Sequence, residues 1–158
     1  MKIQIVKVGK PADKTYLQLA KKYETRLKSF CKLDSRILKA QDGVEKSTRD
    51  LLAKLDIDPT TLRPDPGHVI YTLDERGRNF SSPDLAKTLR TSIDDGRVKT
   101  VSFVIGGPYG VPEELKKASQ HVWSLSNAVF PSDMAWVMVW EQVYRASTII
   151  RGTSYHHA

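Results

Sequence analysis

The run TVSFVIG (residues 100–106) is apolar at almost every position, and HVIYTLD (68–74) is nearly so. A strand of this kind must be covered on both faces, which a sheet with one wet side does not allow. The segments around these runs carry apolar residues at helical spacing instead. Doubly covered strands alternating with amphipathic helices imply an α/β domain around a mostly parallel sheet. At 158 residues, 40% of them hydrophobic, the chain suits one such domain spanning 1–158.

The remaining elements follow from the same patterns. KIQIVKV (2–8) reads as a strand, with Ile3, Ile5 and Val8 toward the core. Asp13 can cap a helix whose apolar positions are Tyr16, Leu19, Ala20, Tyr23, Leu27 and Phe30, its lysines lying on a solvated surface. Leu33 to Leu38 is a second strand, and a helix over 44–55 has Leu51, Leu52 and Leu55 as its stripe. IDPTTLRPDPG, with three prolines and a glycine, is a loop. ERGRNFSSP turns the chain, and Ser82 before Pro83 caps a helix carrying Leu85, Ala86, Leu89 and Ile93 that ends at Gly96. Pro112 with Glu113 and Glu114 opens another helix, acids placed where the helix dipole favours them. Trp123–Leu125 forms a short strand and 126–130 a loop. A long helix then runs from about Asp133 to Arg151 and stops at Gly152.

Several function classes drop out. The single cysteine, Cys31, excludes an internal disulfide and a multi-cysteine zinc site, and no metal ligand set is evident. No apolar run approaches the ~20 residues of a membrane span, and MKIQIVKVGK alternates rather than forming a signal peptide's apolar block. The expected compartment is the cytoplasm. The net charge of +7 favours an anionic partner, nucleic acid being the commonest, although basicity also serves solubility alone.

In FVIGGPYGVPEELKK (103–117) a strand ends in a glycine-rich turn before a helix, a common place to hold a ligand. No lysine follows Gly110, so the turn is not a phosphate-cradling P-loop, and Gly106-Gly107-Pro108-Tyr109-Gly110 lacks the dinucleotide spacing. Adjacent glycines still let the backbone approach a flat or bulky ligand; a tight turn without a ligand is the other reading. The long C-terminal helix is apolar nearly all round, through Trp136, Val137, Val139, Trp140, Val143 and Tyr144. It is either covered by a second subunit, the preferred reading, or central to the monomer core.

Taken in order, FVIGG-x-x-G, S-L-S with a short loop to F-P, E-Q-V-Y-R-A and a terminal G-x-x-Y-H resemble the RlmH family. These are SPOUT-class methyltransferases acting on N3 of a pseudouridine in helix 69 of large-subunit (23S) ribosomal RNA. MKIQIVKVGK and YTLDERG with its following S-S-P-x-L-A also look like that family, so the likeness spans the chain outside 40–66. The resemblance implies a trefoil-knotted sheet, a homodimer, and S-adenosyl-L-methionine bound between three loops. Carried over by position, the cofactor residues are Leu73, Gly106, Leu125, Ser126, Asn127, Ala128, Val129 and Phe130. Backbone groups would read the adenine edge and apolar side chains would sandwich the ring.

Tyr155 and His156 match the family's terminal Y-H. On that likeness His156 assists deprotonation of the target N3 or grips the RNA, and Tyr155 shapes the base pocket, against the default of a frayed terminus. Arg145 has two readings: an i,i+4 salt bridge with Glu141, or a contact to RNA or across the dimer. The chain departs from the family at Ser132 and Trp136, where a histidine and an arginine are usual, and its ending has Ser154 and His157 in place of proline and a cation. Those departures keep two alternatives open: the same chemistry on another structured RNA, and a non-catalytic RNA-binding or ribosome-associated module.

Overall fold

Residues 1–40, 43–107 and 109–156 are described by a computed structural model of the chain. Five strands, β1 (Lys2–Val8), β2 (Lys32–Leu38), β3 (His68–Asn79), β4 (Thr100–Ile105) and β5 (His121–Ser124), form one sheet in the order β2-β1-β4-β3-β5. Every pairing is parallel. The helices are α1 (Lys14–Leu27), α2 (Val44–Lys54), α3 (Ser82–Asp94), α4 (Glu113–Ala118) and α5 (Ser132–Arg151).

The alternation of side chains along the central strands sends them into two cores. Ile3, Ile5, Tyr71, Val101, Phe103 and Ile105 pack with α1, α3 and α5 on one face. Val6, Val8, Ile70 and Val104 pack with α2 and α4 on the other. The sheet is therefore covered on both sides, as the apolar runs require, and Val8 belongs to the opposite core from Ile3 and Ile5. A polar thread crosses the second face: Gln4 Nε2 donates to Asp34 at 3.0 Å, Ser102 Oγ to Gln4 at 2.7 Å, and His68 Nε2 lies 2.7 Å from Ser102 Oγ. Burial pushes the His68 pKa down, which keeps a neutral ring in that thread.

Local chemistry accounts for most boundaries. Asp13 accepts from the Thr15 N–H at 2.7 Å to cap α1, and Gly152, with φ +68°, closes α5 in the left-handed region. Three expectations need correction. The cap of α3 is Ser81, whose side chain accepts from the Asp84 N–H, while Ser82 is already helical and donates to Gln142 at 2.7 Å. Ile93 is exposed and Ser92 takes the buried position. ERGRN is not simply a turn, because β3 continues through it to Asn79.

That extension has a visible cause. β5 pairs with β3 twice, Leu73 and then Arg78 both facing Trp123, so the residues between them are thrown out as a bulge. A Cβ at Gly77 would stand 2.5 Å from the Val122 carbonyl oxygen, so only glycine fits where β5 passes.

The apolar circumference of α5 leaves two readings, a second subunit, which is preferred, or a central place in the monomer core. In the monomer Trp136, Val139, Trp140, Val143 and Ala146 are already buried between α1, α3 and the sheet. Most of its apolar circumference is thus satisfied within one chain, because two helices flank it rather than one.

Candidate functional site

The carboxyl ends of β3, β4 and β5 meet where the sheet order reverses, the position at which open α/β sheets bind ligands. A cleft of about 570 Å³ opens there. It is lined by Leu73 to Arg76, by the glycine turn after Ile105, and by the segment from Trp123 to Ser132, with Lys116 and Ala135 closing it. Of the eight residues anticipated from the sequence, Leu73, Gly106, Leu125, Ser126, Ala128, Val129 and Phe130 line this cleft. Asn127 is exposed and lies off the lining.

Each wall has a local reason for its shape. Asp74 Oδ1 accepts the Arg76 N–H at 2.9 Å, which bends the first segment out of β3. Its Oδ2 meets Lys116 Nζ at 2.5 Å, and Lys116 also reaches Glu113 at 2.8 Å. Burial alone would raise the Asp74 pKa, but the hydrogen bonds from Lys116 and the Arg76 amide outweigh it and hold the carboxyl low. Burial likewise opposes the Lys116 charge, and its two carboxylates more than restore it.

The second wall is a tight turn. Gly107 and Gly110 form an antiparallel bridge, with the Gly110 N–H donating to Gly107 O at 3.0 Å and Gly110 at φ +75°. A Cβ on Gly106 would sit 2.3 Å from the Gly110 backbone, so the turn folds back onto bare main chain. α4, which follows, has six residues and two acids in its first turn. In the third wall Ser126 Oγ accepts the Ala128 N–H at 2.9 Å, and Ser124 Oγ donates to Ser126 O at 2.7 Å.

Beneath the third wall lies a group whose residue type concealed its burial. Lys7 follows the parity of Ile3 and Ile5, and its side chain is 2% exposed. Its ammonium reaches Asp133 Oδ1 at 2.9 Å, Val8 O at 3.3 Å and Gly9 O at 3.2 Å, which uses all three donors. Asp133 Oδ2 accepts the Ala12 N–H at 2.9 Å. The pair ties the first turn of α5 to the end of β1. Strand alternation puts Lys7 on the face of Ile3 and Ile5, and only its charge argues for the surface.

The tail residues gather elsewhere. Arg145 donates through Nε to Glu141 Oε1 at 2.9 Å and through Nη2 at 2.5 Å, and its Nη1 lies 3.4 Å from His156 Nδ1. Tyr155 donates to the same Glu141 oxygen at 3.1 Å, under the Arg145 guanidinium 4.8 Å from its ring centre. The terminus is therefore docked on α5 as far as His156; His157 lies outside the described residues. Burial, then hydrogen bonding to Tyr23 and the Glu141 charge, pushes the Tyr155 pKa up to about 12, so near neutral pH it is a donor and not a base. The i,i+4 salt bridge of Arg145 is present, and it carries His156 as well.

Arg145, Tyr155 and His156 do not line the cleft. Glu141 lies about 13 Å of helix rise beyond Ser132, and Arg145 about 20 Å beyond it. Ser132 is on the cleft lining, whereas Trp136 is 3% exposed and belongs to the core. A second cleft, about 770 Å³, lies between α1, β2 and α5 over Trp136 and Trp140 and holds none of the anticipated residues. Among the described residues there is no cluster suited to a metal ion, and no helix is long and apolar enough to cross a membrane.

Comparison with known proteins places this geometry in context. The family model described as "Predicted SPOUT methyltransferase" matches residues 1–156. The chain is 34% identical over 163 aligned residues to the ribosomal RNA large subunit methyltransferase H of Maridesulfovibrio salexigens, covering 99% of this chain and 98% of that one. It is 36% identical over 157 residues to the protein of the same name from Thermotoga neapolitana, covering 99% and 100%. The solved structure of a probable methylase family protein from Haemophilus influenzae superposes with a TM-score of 0.56, at 13% identity, over 99% of this chain and 70% of that one, a likeness of fold alone.

Proposed function

The chain belongs to the SPOUT methyltransferase family, and from that premise we propose that it methylates N3 of a pseudouridine in helix 69 of 23S ribosomal RNA, with S-adenosyl-L-methionine as donor. The observation that carries this reading is the convergence of seven of the anticipated residues on one cleft at the carboxyl edge of the sheet. Its size suits a nucleoside-like ligand.

The residues present fit that donor. Gly106 and Gly107 bring main chain to the lining of the cleft, the missing Gly106 side chain making room for the Gly110 backbone behind it, and Leu73, Ile105, Leu125 and Phe130 supply apolar walls. Lys116 is held by Asp74 and Glu113, so it is not free to grip a phosphate. When bound, S-adenosyl-L-methionine supplies a methyl carbon made electrophilic by a sulfonium. The work left to the chain is positioning, because an in-line displacement gains most from alignment. N3 must also lose its proton, and His156 is the candidate acceptor through Nδ1 once that nitrogen leaves Arg145 Nη1, which faces it at 3.4 Å; while the contact holds, the remaining ring N–H can only donate, as in gripping the RNA. Tyr155, whose hydroxyl proton goes to Glu141, helps to shape the base pocket.

Because Glu141 and Arg145 hold this tail a helical turn or more from the chain's own cleft, its use in the reaction needs the cleft of a second subunit. We therefore include a homodimer in the proposal, with the target base between the two subunits. The sheet is proposed to carry the family's trefoil threading, and the enzyme to work in the cytoplasm, where ribosomes are.

Titration calorimetry with S-adenosyl-L-methionine, followed by mass spectrometry of helix 69 from cells lacking the gene, tests the reading. Binding together with loss of N3 methylation is expected; no heat at millimolar donor would favour a non-catalytic RNA-binding module. Donor binding with helix 69 unaltered would redirect the chemistry to another structured RNA, a reading favoured by Ser132 at the mouth of the cleft. His156→Ala should lower kcat about 100-fold or more while donor affinity stays within twofold. Unchanged transfer to ribosomes would remove His156 from the mechanism.

A further inference from the structure

The large apolar side chains left in water are not scattered evenly. Tyr109 is 95% exposed and Val129 72%, while the other exposed ones fall between 37% and 44%. Both of the outliers line the same cleft, one from the glycine turn and one from the third wall. Among the described residues Tyr109 has no hydrogen-bond or ring partner, so its ring does nothing visible for the fold. A fully wetted aromatic side chain forgoes the gain from burial, and such a residue at the rim of a site marks a contact surface.

Its backbone is not loose in the same way. The Gly107–Gly110 bridge and the contact of Gly106 with Gly110 set where the turn projects. The ring is thus presented at the mouth of the cleft from a turn anchored on β4.

We propose that Tyr109 is the stacking platform for the target base, holding it out of the RNA stack at the mouth of the cleft with Val129 opposite. The proposal rests on the methyl-transfer reading above. Chemistry on a base requires the base to leave its stack, and an unstacked base finds its best replacement partner in an aromatic face. The recognition is sequence-tolerant, since every base presents a π surface. Sequence discrimination then falls to other groups.

The test uses the full chain carrying Tyr109→Ala, Tyr109→Phe or Tyr109→Trp, with ribosomes from cells lacking the gene as substrate. Tyr109→Ala is expected to lower kcat/KM for ribosomes roughly five- to hundredfold. The phenylalanine and tryptophan variants should stay within about threefold of the parent, because stacking needs the ring and not the hydroxyl. Calorimetry should find donor affinity unchanged in all three, and sedimentation should find the same oligomer. An alanine variant as active as the parent overturns the proposal. A loss confined to donor affinity would place the ring on the adenine instead, and a loss of the oligomer would place it against a second copy; either also overturns it. A parent protein that transfers no methyl group to ribosomes sinks the underlying reading first, a result distinct from all of these.

Discussion

Gly106→Ala is expected to weaken donor binding more than tenfold while lowering stability only moderately. The added Cβ would lie 2.3 Å from both the carbonyl carbon and oxygen of Gly110 and 2.8 Å from the Val111 nitrogen. All three are main-chain atoms, so no side-chain rotation relieves the overlap. The turn must lift off β4, drawing with it Val111, which is buried against α2 and α4 in the second core. Overpacking of this kind costs about 1–3 kcal/mol. For a chain of this size that is a fall in Tm of about 3–10 °C. The larger effect is local, since the second wall of the cleft is displaced: donor Kd should rise more than tenfold in calorimetry. Gly96→Ala is the control, because nothing lies within 4 Å of its Cβ and it should bind the donor normally. Retained affinity in Gly106→Ala would mean that the glycine turn is not part of the donor site.

Asp133→Asn should give the largest loss of stability. It leaves the Lys7 ammonium buried against two carbonyl oxygens without its counter-charge. Breaking one partner of a buried pair costs about 3–5 kcal/mol, and the partial exposure of Asp133 argues for the lower end of that range. A Tm decrease of about 6–12 °C follows for a domain of this length. Lys7→Met combined with Asp133→Asn should recover much of the loss, because neither charge then remains unpaired. Failure of the double variant to exceed the single one in urea unfolding would mean that the pair does not act as a unit.

The pH dependence has a definite sign. Burial by itself would raise the Asp133 pKa, but hydrogen bonds from the Ala12 amide and the Lys7 ammonium, with the lysine charge, lower it. A depressed carboxyl stabilises the folded state above its unfolded value of about 3.9 and loses that contribution as pH falls through the lowered folded value. The stability gap between the parent and Asp133→Asn should therefore be constant near neutrality and narrow in acid. α5 begins at this pair, and its first turn also borders the cleft, so donor affinity should weaken in the same variant.

These two positions differ in how visible they were beforehand. Gly106 announces itself at least as a turn, because adjacent glycines end an apolar strand whether or not a ligand sits on them. Lys7 does not, since a lysine is ordinarily a surface residue. Its burial depends on β1 lying between β2 and β4 with α5 crossing above. Trp136 is the opposite case: it belongs to the apolar positions of the long helix, which predict burial, and it lies in the core. The cleft's loops were legible from motif order, whereas Asp74, Tyr109 and Lys116 on the same lining were not, because each arrives from a turn or helix whose direction is set by packing.

Local pattern alone was enough to determine the alternation of strands and helices, most of their caps, and the parallel character of the sheet. Each of those depends on neighbours a few residues away, through side-chain period, backbone conformation or an unsatisfied amide. Tertiary structure decided the strand order, the passage of β5 beside Gly77, the burial of Lys7 with Asp133, and the docking of Tyr155 and His156 on Glu141 and Arg145. Those contacts join residues far apart in the chain, and their energies depend on which surfaces end up sharing one dry interior, a property that no short stretch of sequence contains.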